Sequence, residues 1–290
     1  MPELMILILS LLPSQPATSR AADDESHRAV VSAAAKDFSV RCEFRREGAN
    51  GAKLQLHPAP LLRWSNPTAG EVYGEVFVWT DNGRPLVIAS WYRWFRPDWG
   101  RTLEVCSVSS GPLSGQVAGQ RFWNPVKPGL TLKPIANAEA PAKSPAGRLV
   151  QMRRLAGDFN ARLTDTRGDQ IERQLRQLTQ PVFRYPNATD KSTYLDGAIF
   201  AFVEGTDPEL FLMLEAIETE SGSVWHYGLV RMNSDALVVT YRNENIWSVP
   251  KLDVMLNNAA DPYALITSEK VLKEPAADLP APGTAPKLPQ

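Results

Sequence analysis

From residue 197 to residue 241 the chain runs through four short apolar segments, 197–204, 210–217, 224–232 and 237–241, all rich in β-branched and aromatic residues. Segments of that length and composition predict strands. The breaks between them carry Gly205-Thr-Asp-Pro208, Ser221-Gly222 and Asn233-Ser-Asp235, residues that favour turns through positive φ, local side-chain bonding or a fixed φ. Loops this short force antiparallel neighbours, and a period of two sorts the side chains by face. With Ser221 and Gly222 as a two-residue loop, Ile217 opposes His226 and Glu215 opposes Gly228. One face then collects Phe200, Phe202, Leu212, Leu214, Ala216, Trp225, Tyr227, Leu229, Val239 and Tyr241, which is a core. The other carries Ile199, Ala201, Val203, Phe211, Met213, Ile217, Val230 and Val238, and an apolar second face calls for a cover, most simply a helix. Glu215 and His226 lie in the middle of that second face, diagonal to one another. A three-residue turn at Asn233 places Thr240 and Arg242 next along.

The helices expected to supply the cover come earlier. Ser144 as N-cap and Pro145 at the first helical position start a helix whose apolar stripe, Leu149, Met152, Leu155, Ala156, Phe159 and Leu163, carries it to about residue 163. A second helix, 169–178, places Ile171, Leu175 and Leu178 on one side and stops before Pro181. Upstream, residues 23–36 read as a short helix or a frayed tail, and 38–46 and 53–57 as strands around a turn at 48–51. A meander follows: strand 71–80, the turn Asp81-Asn-Gly83, strand 84–95 and strand 103–109. Gly74-x-x-Phe77-x-Trp79 reaches Pro85 across its turn as Gly197-x-x-Phe200-x-Phe202 reaches Pro208, a match that duplication or chance explains.

The expected fold class is therefore α+β, with two antiparallel β-meander lobes of which the C-terminal one is backed by two helices. Its segments are a leader (1–22), an N-terminal β-rich lobe (23–123), a proline- and alanine-rich connector (124–147), the helical pair with the C-terminal meander (148–272) and a disordered tail (273–290). The apolar run 4–12, followed by Pro13 and small residues, reads as a signal peptide cleaved near Ala17-Thr-Ser19 or Ser19-Arg-Ala21, although no Lys or Arg precedes it. A greasy N-terminal tail or a misassigned start is the alternative. The run is too short to span a bilayer, so a periplasmic or extracellular location without a transmembrane segment is the expectation.

In the 290 residues, 31 basic side chains balance 32 acidic ones, which leaves no global field to draw the protein onto nucleic acid. Arginines between residues 148 and 184 could form a phosphate surface, yet they equally suit the outer face of an amphipathic helix. Cys42 and Cys106 read as two buried thiols, with a disulfide as the alternative.

Motifs for a nucleophile elbow, a zinc protease, a dinucleotide site or a phosphate loop are absent from the sequence, so no cofactor and no metal are expected. Ser248-Val-Pro-Lys251 matches S-x-x-K in letters alone, and Asn187-Ala-Thr189 is a glycosylation sequon. What remains is Glu215 with His226 and Arg242, which could work as an acid–base constellation, Glu orienting the imidazole. Alternatively they form a buried polar network satisfied by an arginine of the covering helix, Arg153 or Arg154. A third candidate is sugar binding by Trp94 and Trp99 at the end of the tryptophan-rich meander, since aromatic rings stack on apolar sugar faces.

Leu61-Leu-Arg-Trp-Ser-Asn-Pro67, Val76-Phe-Val-Trp-Thr-Asp-Asn-Gly-Arg-Pro85, Gln151-Met-Arg-Arg-Leu-Ala-Gly-Asp-Phe159, Phe200-Ala-Phe-Val-Glu-Gly-Thr-Asp-Pro-Glu209 and Trp225-His-Tyr227 resemble the blocks of a family of exported planctomycete proteins of unknown function. The resemblance covers most of the chain between Leu61 and Trp247. It implies a bacterial, exported protein and a structural value for Arg84 and Asp207 at their turns, and it brings no activity or catalytic residues with it. The expected function is an exported, non-catalytic binding or scaffold protein for an unknown ligand or protein partner. A hydrolase built on Glu215 and His226, and a carbohydrate binder, are the alternatives.

Overall fold

The structure, a computed structural model, describes residues 17–48, 51–96, 100–165, 171–186, 194–253, 258–267 and 269–272. The leader expected over 1–22 lies largely outside these residues, as do the tail 273–290, the sequon at Asn187 and Trp99. In chain order the first half holds α1 (Ala17–Arg41), β1 (Cys42–Arg46), β2 (Gln55–Leu56), β3 (Leu62–Ser65), β4 (Glu71–Asp81), β5 (Arg84–Arg96), β6 (Gly100–Ser107), β7 (Leu113–Val117) and β8 (Gln120–Trp123). The second half holds β9 (Lys133–Pro134), α2 (Pro145–Gly157), β10 (Phe159–Asp165), β11 (Ile171–Gln174), β12 (Arg176–Gln177), β13 (Phe183–Arg184), β14 (Tyr194–Glu204), β15 (Asp207–Thr219), β16 (Gly222–Arg231), β17 (Ala236–Tyr241), β18 (Glu244–Val249), β19 (Tyr263–Ile266) and α3 (Glu269–Leu272). The class is α+β, dominated by antiparallel sheet.

Two six-stranded sheets form the centre. The first has the order β19-β6-β5-β4-β2 with β3 also on β4, and the second β12-β14-β15-β16-β9 with β13 also on β14. They face each other: Val76, Val78 and Ile88 of the first share one cluster with Ile199, Ala201, Phe211 and Met213 of the second. The reverse of the first sheet, with Phe77, Trp79 and Trp91, packs with Val31, Ala35 and Phe38 of α1 and with the three-stranded sheet β1-β7-β8. The reverse of the second, with Phe200, Phe202, Leu212, Leu214 and Trp225, packs with Met152, Leu155 and Ala156 of α2 and with the four-stranded sheet β11-β10-β17-β18. Each large side chain so buried stabilises the fold by about 1.5–3 kcal/mol.

The halves repeat one plan. In each, a helix leads into a strand that pairs with a strand lying beyond the meander, β1 with β7 and β10 with β17. In each, an aromatic ring lies over a glycine of the meander's first strand: Trp64 over Gly74 and Tyr185 over Gly197, where an added Cβ would overlap the ring. The tips match as well, Asp81 opposite Arg84 and Glu204 opposite Asp207.

Several expectations change. The apolar second face of β14–β16 is covered by the first sheet and not by helices; α2 lies on the other face. One expected helix ends at Gly157, and the segment after it, Phe159–Asp165, is a strand with alternating burial. The other does not form, because 171–174 and 176–177 are strands. Helix α1 runs through Phe38 to Arg41, where a strand was expected, with Phe38 buried in the core beside Val31 and Ala35. The connector is tied down: β9 pairs with β16, and Leu130 reaches the inter-sheet core. Residues 237–241 leave the central sheet, because β17 pairs with β10 and β18. Val238 is accordingly absent from the inter-sheet core. Cys42 and Cys106 are free and buried in separate clusters, and burial pushes both thiols up.

Candidate functional site

The hairpin β15–β16 is shifted by two residues from the expected register, with Thr219 opposite Gly222 and Glu215 directly opposite His226. A shift of two preserves the faces, so the carboxylate does sit on the inter-sheet side. Its partners come from elsewhere. The Arg84 guanidinium, at the tip of β4–β5, donates to both carboxylate oxygens, Nε to Oε1 at 3.0 Å and Nη2 to Oε2 at 2.9 Å. The Tyr185 hydroxyl donates to Oε1 at 3.0 Å. Glu215 is 1% exposed. Burial disfavours the charge on Arg84, but the facing carboxylate holds its pKa above the ordinary arginine value. Tyr185 is raised by burial and by the same carboxylate.

His226 is half-buried, and its Nδ1 lies 3.2 Å from the Val224 carbonyl oxygen. Arg242 belongs to a different sheet: it occupies the β17–β18 turn at φ 48° and donates from Nε to Asp158 at 2.9 Å. The structure therefore brings Glu215 and His226 onto facing positions but separates Arg242 and Thr240 from them. The arginine that satisfies Glu215 is Arg84; Arg154 instead pairs with Glu139. A bidentate arginine and a tyrosine occupy the carboxylate oxygens that would orient an imidazole, so the arrangement suits a structural ion pair.

A second buried network escaped the sequence. Asp196, fully buried, accepts from Arg148 Nε at 2.9 Å and from Arg184 Nη2 at 2.7 Å, which fastens α2 to β14. Asp196 immediately precedes the first expected strand, and no local signal marks its partners, 48 and 12 residues away.

Trp94, half-buried, borders a cavity of about 640 Å³. One wall comes from the first sheet: Trp64 on β3, Tyr92 and Trp94 on β5, Glu104 on β6. The other comes from the second sheet's hairpin, Asp207 and Glu209 on β15, and from residues 232–235 and 251–253. Trp64 is fixed by donation from Nε1 to Ser90 Oγ at 2.9 Å. The Tyr263 hydroxyl donates to Glu104 at 2.7 Å, and Asn233 donates to Glu209. Asn66 Nδ2 donates to Asp207 at 3.4 Å, and the Thr206 hydroxyl donates to the Ser65 carbonyl at 2.9 Å, so the hairpin tip is stitched to the end of β3. Burial pushes Glu104 up to about 8, and it raises Glu209 well above the carboxylate range with help from the charge of Asp207. Arg231, beside the cavity, spends its donors on the carbonyls of Asn233, Ser234, Asp235 and Pro250.

Among the described residues no group of three His, Cys, Asp or Glu side chains has the geometry to hold a metal ion, and no helix is long and apolar enough to cross a membrane. No protein-family model, curated protein or solved structure matches this chain.

Proposed function

We propose that the protein is an exported, non-catalytic binding protein of two lobes, one sheet with its outer layers in each, and that its ligand occupies the cavity bounded by Trp64, Tyr92 and Trp94. The observation that carries this reading is the cavity itself: an aromatic wall faces polar groups that converge from the other sheet, the composition of small-molecule sites in general. The Glu215 carboxylate argues against the hydrolase, because Arg84 and Tyr185 already engage it where the solvent does not reach. The apolar run 4–12 and the resemblance to exported planctomycete proteins support export.

The test is intrinsic tryptophan fluorescence of the mature protein against a panel of small cations, neutral saccharides and small carboxylates. Saturable quenching by one class, lost in Trp94→Ala with the circular dichroism unchanged, is expected. Silence across the whole panel would overturn the reading. Turnover of a generic ester or glycoside by the wild type, abolished in His226→Ala, would replace it with the hydrolase.

A further inference from the structure

The inter-sheet space is closed differently at its two ends. At the tip of β4–β5 the residue after the turn is Arg84, whose side chain crosses to the second sheet and satisfies the buried Glu215. At the tip of β14–β15 the same place holds Asp207, which is shorter and accepts from Asn66, and a cavity of about 640 Å³ opens beside it. That size falls within the roughly 300–1,000 Å³ of small-molecule sites.

Two side chains in its wall are only half satisfied. Glu104, on β6 of the first sheet, and Glu209, on β15 of the second, are each more than nine-tenths buried. Glu104 takes a hydrogen bond from the Tyr263 hydroxyl, and Glu209 takes one from the Asn233 amide. Among the described residues neither carboxyl makes a second, so one oxygen of each is left for whatever occupies the cavity. A buried polar atom without a partner is unfavourable, and a wholly apolar ligand would leave both in that state.

The charges around the cavity disfavour ionic ligands as well. Asp207, Asp235, Lys251 and Asp253 are all engaged within the protein. Burial pushes Glu104 up to about 8 and Glu209 well above the carboxylate range, so at pH 7 each is a neutral carboxyl that donates as well as accepts. A cation would meet no unpaired anion on this wall, and an anion no unpaired cation. A neutral ligand with hydrogen-bonding groups remains. Because Tyr263 and Asn233 each hold one oxygen, neither carboxyl can offer the two-oxygen edge that pairs with an amide or a nucleobase; each presents a single oxygen, from its own sheet. Separate hydroxyl groups match that pattern. Trp94, the half-buried ring on the same wall, adds the flat apolar surface on which a pyranose stacks.

We propose that the cavity binds a neutral saccharide, with its ring on Trp94 and two of its hydroxyls on Glu104 and Glu209. The inference rests on the cavity being the binding site and adds the class of ligand.

The probes are the methyl glycosides of glucose, galactose and mannose with cellobiose, maltose and lactose, set against glucosamine, glucuronate and nicotinamide, each titrated calorimetrically and by tryptophan fluorescence at pH 7. One neutral sugar is expected to bind saturably, at least tenfold more tightly than the charged sugars or the amide, with little dependence on salt. Trp94→Ala should weaken it at least tenfold, and Glu104→Leu about tenfold, with the circular dichroism unchanged. Glu104→Gln keeps an acceptor for Tyr263 and a polar group towards the cavity, so it should bind within about threefold of the wild type, which separates a lost hydrogen bond from a disturbed wall. Trp94→Ala carries the test should Glu104→Leu fail to fold. Tightest binding by glucosamine, glucuronate or nicotinamide, lost in Trp94→Ala, would overturn the neutral sugar and leave the cavity standing as the site. Sugar binding that Trp94→Ala leaves intact, or silence from every probe, would overturn both.

Discussion

Gly197 and Gly74 do the same thing in the two halves, and each is needed for what it lacks. A methyl group at either would enter the ring of Tyr185 or Trp64, and both rings are held, one by Glu215 and the other by Ser90. Gly197→Ala and Gly74→Ala should therefore each cost about 1–3 kcal/mol by overpacking, measured by urea denaturation; a neutral effect would mean that the ring can swing away. The spacing from these glycines to Phe77 and Phe200 was legible in the sequence, whereas the rings above them were not, because Trp64 arrives on the short strand β3 and Tyr185 directly after the short strand β13. Glu215 shows the same division. Its face could be read from the period of two, and a register error of two residues left that face unchanged. Its partner could not be read, because Arg84 lies 131 residues away and looks locally like an ordinary turn residue.

At the scale of elements, α2 was legible from its start. Ser144 Oγ accepts from Gly147 N at 3.1 Å with an extended backbone at the cap, and Pro145 follows. Ser144→Ala should lower stability by about 1 kcal/mol, read as a shift in the urea midpoint; no shift would show that the connector holds the helix end unaided. The end of this helix was misread because Phe159 and Leu163 are four apart, a spacing that suits both a helical stripe and one side of a strand. Ala161, also buried, distinguishes the two. The second expected helix failed for a related reason. Leu175 packs on the outer face of the second sheet, Leu178 against the inter-sheet core, and Ile171 is 54% exposed, so the three never formed a single stripe. An apolar second face on β14–β16 said that a cover was needed without saying which one, and another sheet with an apolar face meets the need as well as a helix does.

At the scale of the molecule, two sheets share one core and the buried carboxylates around it link stability to pH. Glu104 is pushed up to about 8 by burial, with the Tyr263 hydroxyl and Arg231 opposing the rise, and Glu209 is raised by burial and by Asp207. In the fold both stay protonated where the unfolded chain would have ionised them. Their contribution is full below the ordinary carboxyl range and is lost as pH rises, that of Glu104 through about 8. The urea midpoint should accordingly fall between pH 6 and pH 9, and Glu104→Gln should flatten that slope; a midpoint that rises over the same window would contradict the assignment.

The buried ion pair of Arg84 with Glu215 joins the two central sheets. A double-mutant cycle of Arg84→Met and Glu215→Gln, followed by urea denaturation at constant pH, measures that directly. Breaking a buried pair from one side is expected to cost about 3–5 kcal/mol, and the double variant should cost far less than the sum of the two. Additive losses, or an Arg84→Met variant as stable as the wild type, would mean that the two sheets do not meet through this pair.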